Sequence, residues 1–301
     1  AFSLAMLIVG TFMIDSLDVM MDVQFNVAQR QDVTITFVEP ASASSFYALQ
    51  RLPGVVDTEP LRVVPARLSF ESRARQLAII GLPATALLNR VVDVETIEQV
   101  TLPPDGLVLS AKLAEILEVE RGDTIRVDVL EGRRPVKDSV VSAVVDQFMG
   151  TAAYMEIGAL HGLMREGGNL SGGYLAVDSS RLKDLYQALK MTPAVAGITL
   201  KGAALKAFEE TFAKNINIMI FFNVLFASII AFGVVYNAAR VSLSERSHEL
   251  ASLRVLGFTR SEISSILLGE LALLTLLSLP LGMLIGYGLS TLIVQVFETE
   301  L

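Results

Sequence analysis

Two uncharged apolar runs interrupt a chain that otherwise alternates. Ile216–Tyr236 (INIMIFFNVLFASIIAFGVVY) carries no charge over 21 residues. As a helix it would be about 31 Å long at ~1.5 Å per residue, matching the ~30 Å hydrocarbon core of a bilayer. Leu271–Val294 (LALLTLLSLPLGMLIGYGLSTLIV) is a second run long enough to span. Two such runs, 34 residues apart, argue against core helices of a large globule. The first stretch, Ala1–Ile14, is apolar but too short to span. No basic region precedes it, as one would in a signal peptide. It reads as the end of a first transmembrane helix, with Asp15, Asp18 and Asp22 at its exit. Beginning inside one helix and stopping at Leu301, the sequence is expected to be a fragment of a longer chain.

Between the runs the period shortens. Val33–Val38 alternates as a strand, and Ser42–Leu52 reads as a helix capped by Ser42 or Ser44 and stopped by Pro53-Gly54. Val55–Val64, Ala66–Phe70 and Gln76–Ile80 read as further strands. Thr101–Gly106 (TLPPDG) is the clearest internal boundary. Leu107–Val119 then predicts a short strand and a helix capped near Ser110. Strands follow at Thr124–Leu130 and Asp138–Val145, a helix at Glu156–Arg165 and a flexible return at Gly167–Gly173. Tyr174–Val177, Ser180–Lys190 and Ala194–Leu200 repeat the opening strand–helix–strand logic, with Asp178 or Ser179 as cap. The expected fold is therefore a membrane protein of α-helical spans plus an α+β extracytoplasmic domain. That domain is a split βαβ layer with a β-rich subdomain inserted at about 103–170.

The expected organisation is the end of a first span at 1–22, the α+β domain at 23–204 and a charged stalk helix at 205–215. A second span follows at 216–238, a coupling helix and turn at 239–262, a third span at 263–296 and a cut end at 297–301. Composition fits such a mixture. Hydrophobic residues make up 52% and charged residues 19%, where about 25% charged is usual for soluble domains. The mean hydropathy of +0.54 is an average over two populations. The chain has no Cys, which excludes disulfides, thiolate nucleophiles and Cys-zinc sites, and its two His leave little room for His relays. A net charge of −8 argues against nucleic acid as a partner.

Orientation follows from the short loop after the second run. Arg240, Arg246, Arg254 and Arg260 mark 237–262 as cytoplasmic by the positive-inside rule. The long region 23–214 then lies outside, since long domains translocate largely regardless of charge. Within the loop, Arg240–Gly257 (RVSLSERSHELASLRVLG) predicts a helix with Leu250, Leu253 and Leu256 on one stripe. Gly257 fits its terminator, and Thr259-Arg260-Ser261-Glu262 has the form of a capping box that opens the next helix. A plain solvated connector would need none of these signals. The pattern points to an amphipathic docking helix at the membrane surface.

The stretch SERSHELASLRVLGFTRSEISSILLGELALLTLLSLPLGMLIGYGL resembles the signature of the FtsX-like permease family, which includes MacB-type and lipoprotein-releasing ABC transporter permeases. The matching positions are Glu245, Arg246, Glu249, Arg254, Leu256, Gly257, Glu270, Gly282 and Gly286. The phrases LPGVVDTEP at 52–60 and LSAKLAEILEVERGDTIRV at 109–127 are similar to the family's outer domain. The resemblance implies one span, an outer domain with a porter layer and an inserted sabre subdomain, and three more spans. The fourth span does not occur in this sequence, as a cut before it would explain.

In such a family the helix carrying Glu245, Arg246, Glu249, Leu250, Leu253, Arg254 and Gly257 docks on a separate ABC ATPase subunit. The partner would use ATP and magnesium; this chain is expected to bind no cofactor or metal and to hold no catalytic residue. It contains no G-x-x-x-x-G-K-[ST], G-x-S-x-G or H-E-x-x-H. Further expected partners are a second permease copy or half, a periplasmic protein and membrane lipid. The implied location is the bacterial inner membrane, multi-pass. The implied role is export or extraction of a lipid, lipoprotein, peptide or other hydrophobic cargo. Alternatives are mechanical regulation of a periplasmic partner, or a membrane sensor.

Smaller features add detail. Gly282 and Gly286 form a GxxxG for close helix packing. Glu270 at the entry to the third span is expected to pair with an Arg of the docking loop. His161 with Met155 and Met164 reads as a helix face packed on a sheet, because one His gives no chelate set.

Overall fold

The computed structural model describes residues 2–94, 96–147 and 150–300. In chain order its elements are α1 (Phe2–Asp22), a π-helical turn (Val23–Ala28), β1 (Val33–Ala41), α2 (Ser44–Gln50), β2 (Val55–Phe70) and β3 (Arg73–Leu82). Then come β4 (Leu107–Ser110), α3 (Ala111–Leu117), β5 (Thr124–Val129), β6 (Val136–Val145), β7 (Ala153–Glu156) and α4 (Ile157–Met164). The chain ends with β8 (Leu170–Val177), α5 (Leu182–Lys190), β9 (Val195–Leu200), α6 (Lys201–Glu245), α7 (Ser247–Val255) and α8 (Arg260–Glu300). Two units result, one of Val19–Phe208 and one of Ala1–Asp18 with Glu209–Leu301.

The first unit contains two sheets that share β2. Val55–Leu61 of β2 pairs with β8, β8 with β1, and β1 with β9, all antiparallel. The order β2-β8-β1-β9 with α2 and α5 between the strands is a split βαβ, ferredoxin-like layer. One face is apolar because alternate residues point the same way. Val33 and Ile35 of β1 and Leu175 and Val177 of β8 pack under Leu49, Leu185 and Leu189 of the helices. Gly172 and Gly173 are strand residues, where the sequence predicts a flexible return. A Cβ on Gly172 would collide with the Ile35 carbonyl, and one on Gly173 would lie 2.9 Å from Leu49 Cδ1. Glycine there lets β8 pass close to its neighbours.

Beyond Leu61 the same strand enters a ring. β2 pairs with β3, β3 with β7, β7 with β4, β4 with β6, β6 with β5, and β5 with β2 again. Six strands thus close on themselves, which removes exposed sheet edges. Leu68, Ile79, Leu107, Leu109, Ile125 and Val127 fill the interior, with Leu113, Leu117 and Leu160 from α3 and α4. The β-rich insertion therefore takes in the β2–β3 hairpin and begins near residue 62, not at 103. Val55–Val64 and Ala66–Phe70 are one strand, not two; Pro65 interrupts donation but its carbonyl still accepts from Leu130 N. The cap of α3 is Ser110, accepting from Leu113 N at 3.4 Å. Neither Ser42 nor Ser44 caps α2: its N-cap is Ala43, and the two hydroxyls bond each other at 2.7 Å.

The second unit is helical. Among the described residues, three helices are long and apolar enough to cross a membrane, over Ser3–Ala28, Ile218–Glu245 and Ser261–Ile293. The first reaches that length because the helix continues past Asp15 and Asp18 to Asp22 and the π-helical turn. The expected stalk, 205–215, and the run from Ile216 are one continuous helix, α6. Many large side chains of α6 and α8 are exposed, Phe221, Phe232, Leu276 and Leu284 among them.

Candidate functional site

The segment joining α6 to α8 carries most of the signature residues. Helix α6 runs on to Glu245, since nothing between Tyr236 and Glu245 breaks it. The helix expected over Arg240–Gly257 is therefore divided, and its second part is α7, Ser247–Val255. Glu245 is the last residue of α6 and is exposed. Arg246 occupies the turn, and its Nη1 donates to Glu270 Oε2 at 2.6 Å. That pair ties the end of α6 to α8 and satisfies the expectation for Glu270. Glu249, Leu250, Leu253 and Arg254 fall in α7, but their side chains lie outside the described ones. Val255 and Leu256 expose apolar side chains.

Gly257 has φ +101°, a left-handed conformation that ends the helix with no Cβ penalty. The capping box forms as the spacing predicts. Thr259 N and Oγ1 both donate to Glu262 Oε2 at 2.8 Å, and Glu262 N donates to Thr259 Oγ1 at 3.4 Å. The result is a short helix with a defined stop and restart on either side.

Small residues pack the helical unit. Gly282, Gly286 and Ser290 are buried at every fourth position of α8. A Cβ on Gly286 would lie 2.8 Å from Ile8 Cδ1 and 3.1 Å from Ala5 Cα, so α1 and α8 meet there almost backbone to backbone. Helix α6 approaches α1 at another small residue, since a Cβ on Gly10 would collide with the Asn223 side chain. Gly286 of the GxxxG is thus in contact with α1 of this chain.

Sequence reasoning gave no sign of a charged group at the junction of the two sheets. Arg62 is fully buried where β2 passes from the layer to the ring. Its Nε donates to Glu166 Oε1 at 2.7 Å and Nη2 to Glu131 Oε1 at 2.9 Å. Nη1 reaches Ser171 Oγ at 2.9 Å and the Val63 carbonyl at 3.2 Å. Desolvation works against the charged guanidinium, but hydrogen bonds and charge from Glu166 and Glu131 outweigh it and raise its pKa. One side chain thereby ties the β5–β6 turn, the exit of α4 and the start of β8 to β2. An Arg between Leu61 and Val63 in an expected strand was the only signal for it.

Glu59 is a buried carboxylate, held by the backbone amides of Leu87, Leu88 and Asn89. Near it, burial pushes the Tyr174 phenol up to about 12, opposed by a hydrogen bond to the Asn89 side chain. His161 contacts the Asn169 carbonyl at 2.8 Å, and Met155 and Met164 lie in the ring's core. Among the described residues no cluster of three or more His, Asp or Glu is arranged to hold a metal.

The class these features define is a chain of three membrane-length apolar helices with an α+β domain between the first and second. The family resemblance is to FtsX-like permeases, and it is borne out: residues 220–301 match the family model described as FtsX-like permease C-terminal. That family is the permease component of ABC-type transporters. No curated protein matches the sequence. The chain is similar to the periplasmic region of MacB from Actinobacillus actinomycetemcomitans at 11% identity and TM-score 0.40, covering 62% of this chain and 95% of that one. It is similar to the extracellular domain of the noncanonic ABC-type transporter YknZ from Gram-positive bacteria at 12% identity and TM-score 0.37, covering 56% and 99%.

Proposed function

We propose that this chain is the membrane-spanning subunit of an ABC-type exporter, driven by an ATPase on a separate chain. The observation that carries the reading is the FtsX-like permease match over 220–301, the segment that contains α7 and its two defined ends. In this reading α7 and the turn before it dock on the ATPase from the cytoplasmic side. ATP binding there moves α6 and α8, and the α+β domain outside the bacterial inner membrane follows. The cargo is a lipid, lipoprotein, peptide or other hydrophobic compound. A second copy of the permease completes the path, and exposed apolar faces of α6 and α8 serve that copy or the lipid.

The partner is tested by charge reversal. Glu245→Lys with Glu249→Lys should abolish co-purification with the ABC ATPase subunit, while membrane insertion persists. Retention of the ATPase at wild-type yield would refute the docking role of α7.

A further inference from the structure

A pocket of about 270 Å³ lies in the α+β unit, bounded by the π-helical turn after α1, the 89–94 segment and the outer wall of the ring. Main-chain pairing fixes two of the segments beside it: Arg30 N and Gln31 N donate to the Leu88 carbonyl at 2.7 and 3.1 Å, and Arg90 N donates to the Ala28 carbonyl at 2.9 Å. The lining mixes two chemistries. Ile80, Val92 and Val94 are apolar. Asn89, Arg90, Gln147, Tyr154 and Tyr174 supply polar groups.

Arg90 is the single charged residue among the described residues that line the pocket. Its Nε is buried and has no hydrogen-bond partner. A buried guanidinium N–H without an acceptor is costly, and a small turn of the Arg90 side chain toward an anion in the pocket it lines would remove the cost. Two neighbouring carboxylates among the described residues are already engaged. Glu59 takes three backbone amides, and Asp93 takes Thr96 N, Thr96 Oγ1 and Asp146 N. The phenol of Tyr154 and the amide of Gln147, both in the lining, form a neutral pair at 3.1 Å, able to turn toward a ligand oxygen. One cation with neutral partners matches a single negative charge. The volume is below the ~300 Å³ at which drug-sized pockets begin, so the ligand is small.

We infer that this pocket binds a medium-chain carboxylate, its carboxyl oxygens on Arg90 and its alkyl tail along Ile80, Val92 and Val94. A guanidinium matches a carboxylate's geometry and charge, and the apolar wall gives the tail a place to leave water. The site is distinct from α7 and does not depend on an ATPase.

The test is equilibrium dialysis of labelled octanoate against the full chain in lipid nanodiscs, with empty nanodiscs subtracted. Wild type should bind one octanoate per chain saturably. Arg90→Gln should weaken binding at least ten-fold, Arg90→Lys should keep more of it, and Val92→Phe should abolish it by filling the pocket. Octanol and inorganic phosphate should not displace octanoate, each lacking one half of the ligand. Melting midpoints of the variants separate loss of the pocket from loss of the fold, and Val92→Phe provides a second route if Arg90→Gln unfolds. No saturable binding to wild type, or equal binding by wild type and a folded Arg90→Gln or Val92→Phe, would overturn the assignment. Phosphate displacing octanoate as well as octanoate itself does would also overturn it, showing an anion site without tail recognition. Because no ATPase is in the experiment, its failure leaves the exporter reading standing.

Discussion

Arg62 decides how firmly the layer and the ring are joined, because it touches both. Removing it leaves Glu131 and Glu166 without their common cation and the Ser171 hydroxyl with one partner fewer. Breaking a buried ion pair from one side costs about 3–5 kcal/mol. Glu131 keeps 28% of its side chain in solvent, which puts the cost at the lower end. At ~2–4 °C per kcal/mol for a unit of this size, Arg62→Met should lower the melting temperature of the α+β unit by about 6–12 °C. Calorimetry checks this, and adding Glu131→Leu and Glu166→Leu should recover most of the loss, since whole buried ion clusters are often replaceable by apolar groups. An unchanged melting temperature for Arg62→Met would contradict the clamp.

Tyr174 offers a pH probe at the same scale. Its folded pKa, about 12, lies above the ordinary phenol value, so the folded state keeps the proton longer. The associated stability is fully present below about pH 10 and is lost as the pH rises through the folded value. Phenolate absorbance should therefore show late ionisation that Tyr174→Phe diminishes; simultaneous titration of every tyrosine near the ordinary value would contradict its burial. Neither residue was legible beforehand. A lone Arg or Tyr in a strand pattern does not say which of its neighbours will be a Glu from a distant turn.

At the scale of elements, the contact between α1 and α8 makes a discriminating pair of mutations. Gly286 has Ile8 and Ala5 against it, while a Cβ on Gly288 would meet nothing described within 4 Å. Overpacking a tight contact costs about 1–3 kcal/mol. Gly286→Leu should lower the thermal stability of the detergent-solubilised chain, and Gly288→Leu should leave it unchanged. Equal effects would show that the two helices do not meet at Gly286. The elements written in short-range chemistry were legible. Ser110 as a cap, Gly257 as a stop and the Thr259–Glu262 box all follow from groups within four residues. Elements that depend on distant partners were not: β7 has four residues and is a strand only because β3 and β4 flank it. The start of α7 was misplaced because helix propensity is good on both sides of Arg246, so sequence alone does not mark the break.

At the scale of the molecule, two strand–helix–strand units with an insertion between them were readable from period and turns. Closure of the ring was not, because it rests on the parallel pairs β3–β7 and β4–β6, whose strands are far apart in sequence. The apolar runs were the plainest feature, since a bilayer demands an uninterrupted length that no soluble helix requires. The central claim is that α7 and the α+β domain work on opposite sides of a membrane. The chain has no Cys, so single cysteines report without background. Arg134→Cys in the β5–β6 turn and His248→Cys in α7 are both exposed sites. In intact inner-membrane spheroplasts an impermeant maleimide should label the cysteine at 134 and spare the one at 248 until the membrane is opened. Labelling of both positions, or of neither, in sealed spheroplasts would contradict the account.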